Sequence, residues 1–133
     1  MAHLKVLVTE DSQSQLAIIQ RYLQSSGMEV VQASRGEEVL DIVQREKPDA
    51  VVLDVMLPGI SGFEVCRRLK GDAKTRNLPV VFLSALDKSR AADKARAAGA
   101  DEYLWKEDFD LTELGEIIQK LVSRKDSQPK KGE

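Results

Sequence analysis

The sequence holds one cysteine, Cys66, and one histidine, His3, among 133 residues. A single cysteine excludes an intrachain disulfide and fits a reducing compartment. Cys66 has no second cysteine or nearby histidine to suggest a metal or a thiol nucleophile, and it falls on the inner side of a helical pattern. It reads as a small buried apolar residue. His3 stands alone near the start, so no Ser-His or Cys-His catalytic pair is expected. Long apolar runs are missing too. Those present are short, as in Val51–Leu53, which excludes a membrane-spanning helix, and no apolar stretch follows a basic region, so no signal peptide is expected. Neither sign of charge dominates. Twenty basic and 22 acidic residues leave a net charge of -2, which argues against nucleic-acid binding through bulk charge. A cytoplasmic protein without a direct nucleic-acid or membrane partner is expected.

What is present suits one globular domain. Apolar residues make up 42% and charged residues 32% of the chain, and a chain of this length buries enough surface to fold without a disulfide or metal. Short β-branched apolar runs alternate with segments of helical period. Leu4–Val8 reads as a strand, followed by a helix capped by Ser12 with Leu16, Ile19, Tyr22 and Leu23 on one face. Gly27 ends that helix in the manner of a left-handed residue. Met28–Ala33 is a second strand, and Gly36 opens a helix carrying Val39, Leu40 and Val43. Ala50–Leu53 is the most uniformly apolar strand, as at the centre of a parallel sheet covered on both faces. A helix with Phe63, Cys66 and Leu69 inward follows, then the strand Pro79–Leu83, the helix Lys88–Ala98, the strand Asp101–Trp105 and a helix striped with Leu111, Leu114, Ile117, Ile118 and Leu121. Five such units predict a flavodoxin-like doubly wound sheet of five parallel strands, order 2-1-3-4-5. The domain is expected over residues 1–123, with a polar tail over 124–133.

Open α/β sheets bind ligands beyond the carboxyl ends of their strands. Those ends here are Glu10–Asp11, Asp54, Ser84 and Lys106. Three carboxylates in one cleft repel one another, and a hard cation such as Mg²⁺ removes that repulsion through oxygen ligands. Lys106 adds positive charge, so the pocket suits a phosphoryl group. A carboxylate oxygen is a competent nucleophile for an aspartyl phosphate. Asp54, at the rim of the most buried strand, is the sharpest candidate, because ionised carboxylates enter such places only when paired. Ser84 is expected either to hydrogen-bond a phosphoryl oxygen or simply to cap the next helix.

The blocks Val6–Asp11 (VLVTED), Val51–Glu64 (VVLDVMLPGISGFE), Pro79–Ala85 (PVVFLSA) and Ala98–Lys106 (AGADEYLWK) resemble, in order and spacing, the receiver domain of two-component response regulators. The resemblance covers roughly residues 3–123. It implies that Asp54 accepts the phosphoryl group of a phosphohistidine, carried by a sensor histidine kinase or phosphotransfer protein. It implies Mg²⁺ held by Asp11, Asp54 and the Met56 backbone carbonyl, with Glu10 acting directly or through water, and Lys106 contacting phosphoryl and acceptor. Ser84 and Tyr103 match the family's switch pair: Ser84 moves to the phosphoryl, and the Tyr103 ring turns inward. That repacking alters the face of the fourth helix, fifth strand and fifth helix, where protein partners of the family bind.

Two departures stand out. Glu10 replaces an aspartate with an acid one methylene longer. Lys106 is followed by Glu107 where the family has a proline in a cis peptide. Without proline a cis bond costs about 2.5–4 kcal/mol, so a trans peptide and a displaced loop are expected, with Glu107 and Asp108 bringing negative charge near Lys106. The leading expectation is a single-domain, chemotaxis-type regulator, of use in motility or a phosphorelay, and not an enzyme acting on free substrate. The alternatives are a receiver excised from a larger DNA-binding or cyclase regulator, and a degenerate receiver serving as a constitutive interaction module.

Overall fold

The computed structural model describes residues 3–127, and in it strand and helix alternate from end to end. In chain order these are β1 (Lys5–Thr9), α1 (Gln13–Ser25), β2 (Glu29–Ala33), α2 (Gly36–Glu46), β3 (Ala50–Leu53), α3 (Gly62–Gly71), β4 (Val80–Ser84), α4 (Lys88–Ala97), β5 (Glu102–Trp105) and α5 (Leu111–Ser127). The five strands form one parallel sheet in the order β2-β1-β3-β4-β5, the flavodoxin-like arrangement expected from the alternation.

Side chains alternate across this sheet, as a pleat of period two requires. Leu7, Val51, Leu53 and Phe82 join one apolar cluster with Val39, Val65, Cys66 and Leu69 from α2 and α3. Val6, Val8, Val52 and Leu83 join another with Leu16, Ile19, Leu23, Leu114 and Ile118 from α1 and α5. Each face therefore has its own core, and every residue of β3 and β4 is buried. That is why β3 reads as continuously apolar.

Local chemistry sets the ends of the elements. Ser12 Oγ accepts from the Gln15 N–H at the start of α1, and Ser61 Oγ accepts from the Glu64 N–H at the start of α3. Gly27, at φ 87°, turns the chain out of α1 where a β-carbon would be strained. The start of α4 is capped by Asp87, whose Oδ1 accepts from the Ser89 N–H at 2.9 Å. Ser84 does not cap that helix.

One boundary differs from expectation. α5 runs to Ser127, past residue 123 and into the stretch read as a tail. Arg and Lys at 124 and 125 are good helix formers, and the first residue to disfavour helix before it is Pro129. The remainder of that expected tail, 128–133, lies outside the described residues. Among the described residues no helix is long and apolar enough to cross a membrane.

Candidate functional site

β1, β3, β4 and β5 deliver their last residues to one edge of the sheet. Asp54 follows β3 directly and is 4% exposed. Its Oδ1 accepts from the Met56 N–H at 3.1 Å and from the Ser84 hydroxyl at 3.1 Å. Its Oδ2 lies 3.3 Å from Lys106 Nζ. Lys106 reaches this point because its backbone N–H donates to Ser84 O at 2.9 Å, carrying the β4–β5 ladder one residue further.

Glu10 is buried at 2% exposure. Its Oε1 pairs with Lys106 Nζ at 2.7 Å, and its Oε2 accepts from the Ser12 N–H at 3.2 Å. The methylene that distinguishes it from aspartate thus spans the distance to the ammonium, a pairing not anticipated from sequence. Asp11 is exposed, and carboxylate oxygens of Glu10, Asp11 and Asp54 all lie within 4.8 Å of one another. Three carboxylates against one ammonium leave two negative charges in the pocket, which one divalent cation would cancel. The donor set, carboxylate oxygens around an open rim, fits a hard ion such as Mg²⁺.

Burial by itself would lower the Lys106 ammonium's pKa. The hydrogen bond to Glu10 and the charges of Asp54 and Glu10 outweigh it and hold the group above its usual value. Neither Glu107 nor Asp108 is among its ion partners within 4.0 Å. The Lys106–Glu107 peptide is trans, as expected without proline.

Tyr103 is buried rather than lying at the rim. Its ring centroid sits 5.9 Å from that of Phe82, and its hydroxyl donates to Leu86 O at 2.6 Å. Burial pushes the phenol's pKa up, the Ser84 hydroxyl opposes this, and the Asp54 and Asp87 charges add to the rise. One position on, the Trp105 indole N–H donates to Ala85 O at 3.1 Å. Met56, by contrast, carries an exposed side chain.

Every site residue named from the sequence is therefore at this edge, with Met56 contributing its backbone. Thr9 and Trp105 were not singled out. Thr9 could have been found as a hydroxyl ending an otherwise apolar strand, whereas nothing in the sequence pointed to the indole's hydrogen bond. A close approach holds the edge together: a β-carbon on Gly62 would collide with Asp54 O and lie 2.9 Å from Val55 Cα. Beside Lys106 a shallow, mainly apolar pocket of about 170 Å³ is lined by Gln15, Ile18, Ile19, Leu83, Phe109 and Leu111, and Ile18 is exposed.

Comparison with known proteins agrees with this geometry. Residues 6–119 match the model of the response regulator receiver domain. The phosphate regulon transcriptional regulatory protein PhoB of Rhizobium meliloti is 37% identical over 121 residues, 90% of this chain and 52% of its own length. The chain thus spans about half the length of that curated relative. The receiver domain of the Francisella response regulator 1452 superposes with a TM-score of 0.83 at 30% identity, covering 92% of this chain and 98% of its own. The receiver domain of the Pseudomonas aeruginosa sensor histidine kinase PA1611, a structure with a magnesium ion coordinated in its active site cleft, gives 0.82 at 26% identity, covering 92% and 99%. By the five-stranded order, the acid-lysine edge and these matches, the chain belongs to the response regulator receiver family.

Proposed function

We propose that Asp54 is the phosphoacceptor of a signalling switch, taking a phosphoryl group from a phosphohistidine on a sensor histidine kinase or phosphotransfer protein. The observation that carries this is the buried Asp54 carboxylate, held by the Met56 N–H and the Ser84 hydroxyl with Lys106 at 3.3 Å. An Asp54 oxygen attacks phosphorus, the P–N bond breaks, and the imidazole leaves with the electron pair and takes up a proton. Lys106 and the Ser84 hydroxyl receive the charge on the phosphoryl oxygens. Asp11, Asp54 and the Met56 carbonyl, with Glu10 directly or through water, would hold Mg²⁺, which supplies charge neutralisation at those oxygens when bound.

The apolar pocket beside Lys106, with Ile18 exposed at its edge, offers the donor a surface to lie on while its imidazole reaches Asp54. Ser84 and Tyr103 form the switch, and α4, β5 and α5 present the result to a protein partner. The domain carries a phosphoryl group on its own side chain and so is a signalling module rather than an enzyme on free substrate. Lys106 stands against Asp54 even without a following proline, which favours this function over a degenerate interaction module. The apolar side chains of Met56 and Leu86 offer no group to orient an attacking water, and a slow loss of the phosphoryl group follows; a half-life of seconds would overturn that last point.

The test uses the full chain with acetyl phosphate and Mg²⁺. Intact mass should rise by one phosphoryl group, and Asp54→Ala should abolish the rise. No uptake by the wild type, or undiminished uptake by the variant, removes Asp54 from the role.

A further inference from the structure

Thr9 is the last residue of β1, only 2% exposed, and its hydroxyl does two things. It donates to Val52 O at 3.2 Å and accepts from the Asp54 N–H at 2.8 Å. A hydroxyl has one proton and two lone pairs, so both bonds form at once. The β1–β3 ladder pairs Val6 with Ala50, Leu7 with Val51 and Val8 with Val52, and pairs nothing beyond. The Asp54 amide is thus met by a side chain where the backbone register has ended.

We infer that Thr9 is a positioning residue for phosphoryl transfer: its hydroxyl fixes the backbone from which the Asp54 carboxylate projects. This rests on the acceptor role proposed for Asp54. The carboxylate has its own contacts, to the Met56 N–H, Ser84 and Lys106. Three of these four groups, Asp54 included, follow strands, whereas Thr9 belongs to the sheet, with its backbone in register with Ala33 of β2. The hydroxyl therefore ties the reacting group to a residue of the sheet itself. A valine would fill the same space but would leave the buried Asp54 N–H without a partner, and relief of that state displaces Asp54. In-line attack on phosphorus is sensitive to displacements well below one ångström in its nucleophile.

The experiment measures phosphorylation by acetyl phosphate at saturating Mg²⁺, across a series of donor concentrations, for the wild type, Thr9→Val and Thr9→Ser. Thr9→Val should lose on the order of tenfold in maximal rate with its half-saturating donor concentration unchanged, as expected for lost positioning rather than lost binding. Thr9→Ser, which keeps the hydroxyl, should stay within about twofold of wild type. A merely structural role would lower the melting temperature without this split between rate and half-saturation. Amide exchange in the wild type supplies a measurement independent of whether Thr9→Val folds: the Asp54 N–H should be protected like the interior of β3. A Thr9→Val rate equal to wild type, or an Asp54 amide exchanging as fast as an open loop, overturns the inference and leaves the acceptor role intact. A wild type that takes up no phosphoryl group overturns both.

Discussion

Replacing Lys106 with methionine removes the ammonium that stands between two buried carboxylates and keeps most of the side chain's length. A carboxylate oxygen of Glu10 and one of Asp54 lie within 4.8 Å of each other. At an effective dielectric constant of about 20, two unit charges at that distance repel by roughly 3.5 kcal/mol. Measured losses on breaking one side of a buried ion pair are about 3–5 kcal/mol, and the open rim at Asp11 places this site at the lower end. Lys106→Met should therefore destabilise the metal-free protein by about 3 kcal/mol at neutral pH, a fall of about 10 °C in melting temperature for a domain of this size. Mg²⁺ no longer competes with an ammonium in the variant, so adding it should raise the variant's melting temperature more than the wild type's. The sign with pH is also set. Folding raises the Lys106 pKa above its ordinary 10.5, so its stabilisation is whole below that value and lost as pH climbs past it. Wild-type and variant stabilities should converge only in strong alkali. Thermal and urea melts with and without Mg²⁺ measure all three effects. A loss under about 1 kcal/mol, the scale of an exposed ion pair, or a smaller Mg²⁺ shift in the variant than in wild type, refutes the electrostatic account.

Two further outcomes follow from single residues. Gly62→Ala puts a methyl group against the Asp54 carbonyl and Val55 backbone, so both stability and phosphoryl uptake should fall, by at least 2 kcal/mol for an overpacked backbone contact; an alanine variant as active and stable as wild type contradicts the close approach. Burial pushes the Cys66 thiol's pKa up to about 11, so a thiol reagent at pH 8 should label it only in denaturant. Rapid labelling of the native chain, followed by absorbance, would show that this core opens.

The strands were legible because a sheet covered on both faces demands unbroken apolar runs, as in Ala50–Leu53, and the helices because caps such as Ser12 and Ser61 carry their own chemistry. The site was legible for a topological reason: in a parallel sheet all strand ends meet at one edge, so Asp54, Ser84 and Lys106 had to be neighbours. Pairings that depend on side-chain reach were not legible. Glu10 meeting Lys106, Thr9 meeting the Asp54 amide and the indole of Trp105 meeting Ala85 O all depend on rotamers and on loop geometry, which spacing does not encode. The end of α5 at Ser127 is not marked by apolar content, because a helix can continue through polar residues of good helix propensity.

The loop after Ser84 is held at two consecutive carbonyls, Ala85 and Leu86, by donors from one strand, Trp105 and Tyr103. The same short loop carries the Leu86 N–H that donates to Ser84 Oγ. Thermodynamic linkage makes any such shared segment a two-way lever. Under the acceptor role proposed for Asp54, a partner that gripped β5 and favoured one arrangement of these carbonyls would change the free energy of phosphorylation there, and phosphorylation would change that partner's affinity by the same factor. Trp105 is the sole tryptophan of the chain, so its fluorescence reports on this lever at the point where it turns.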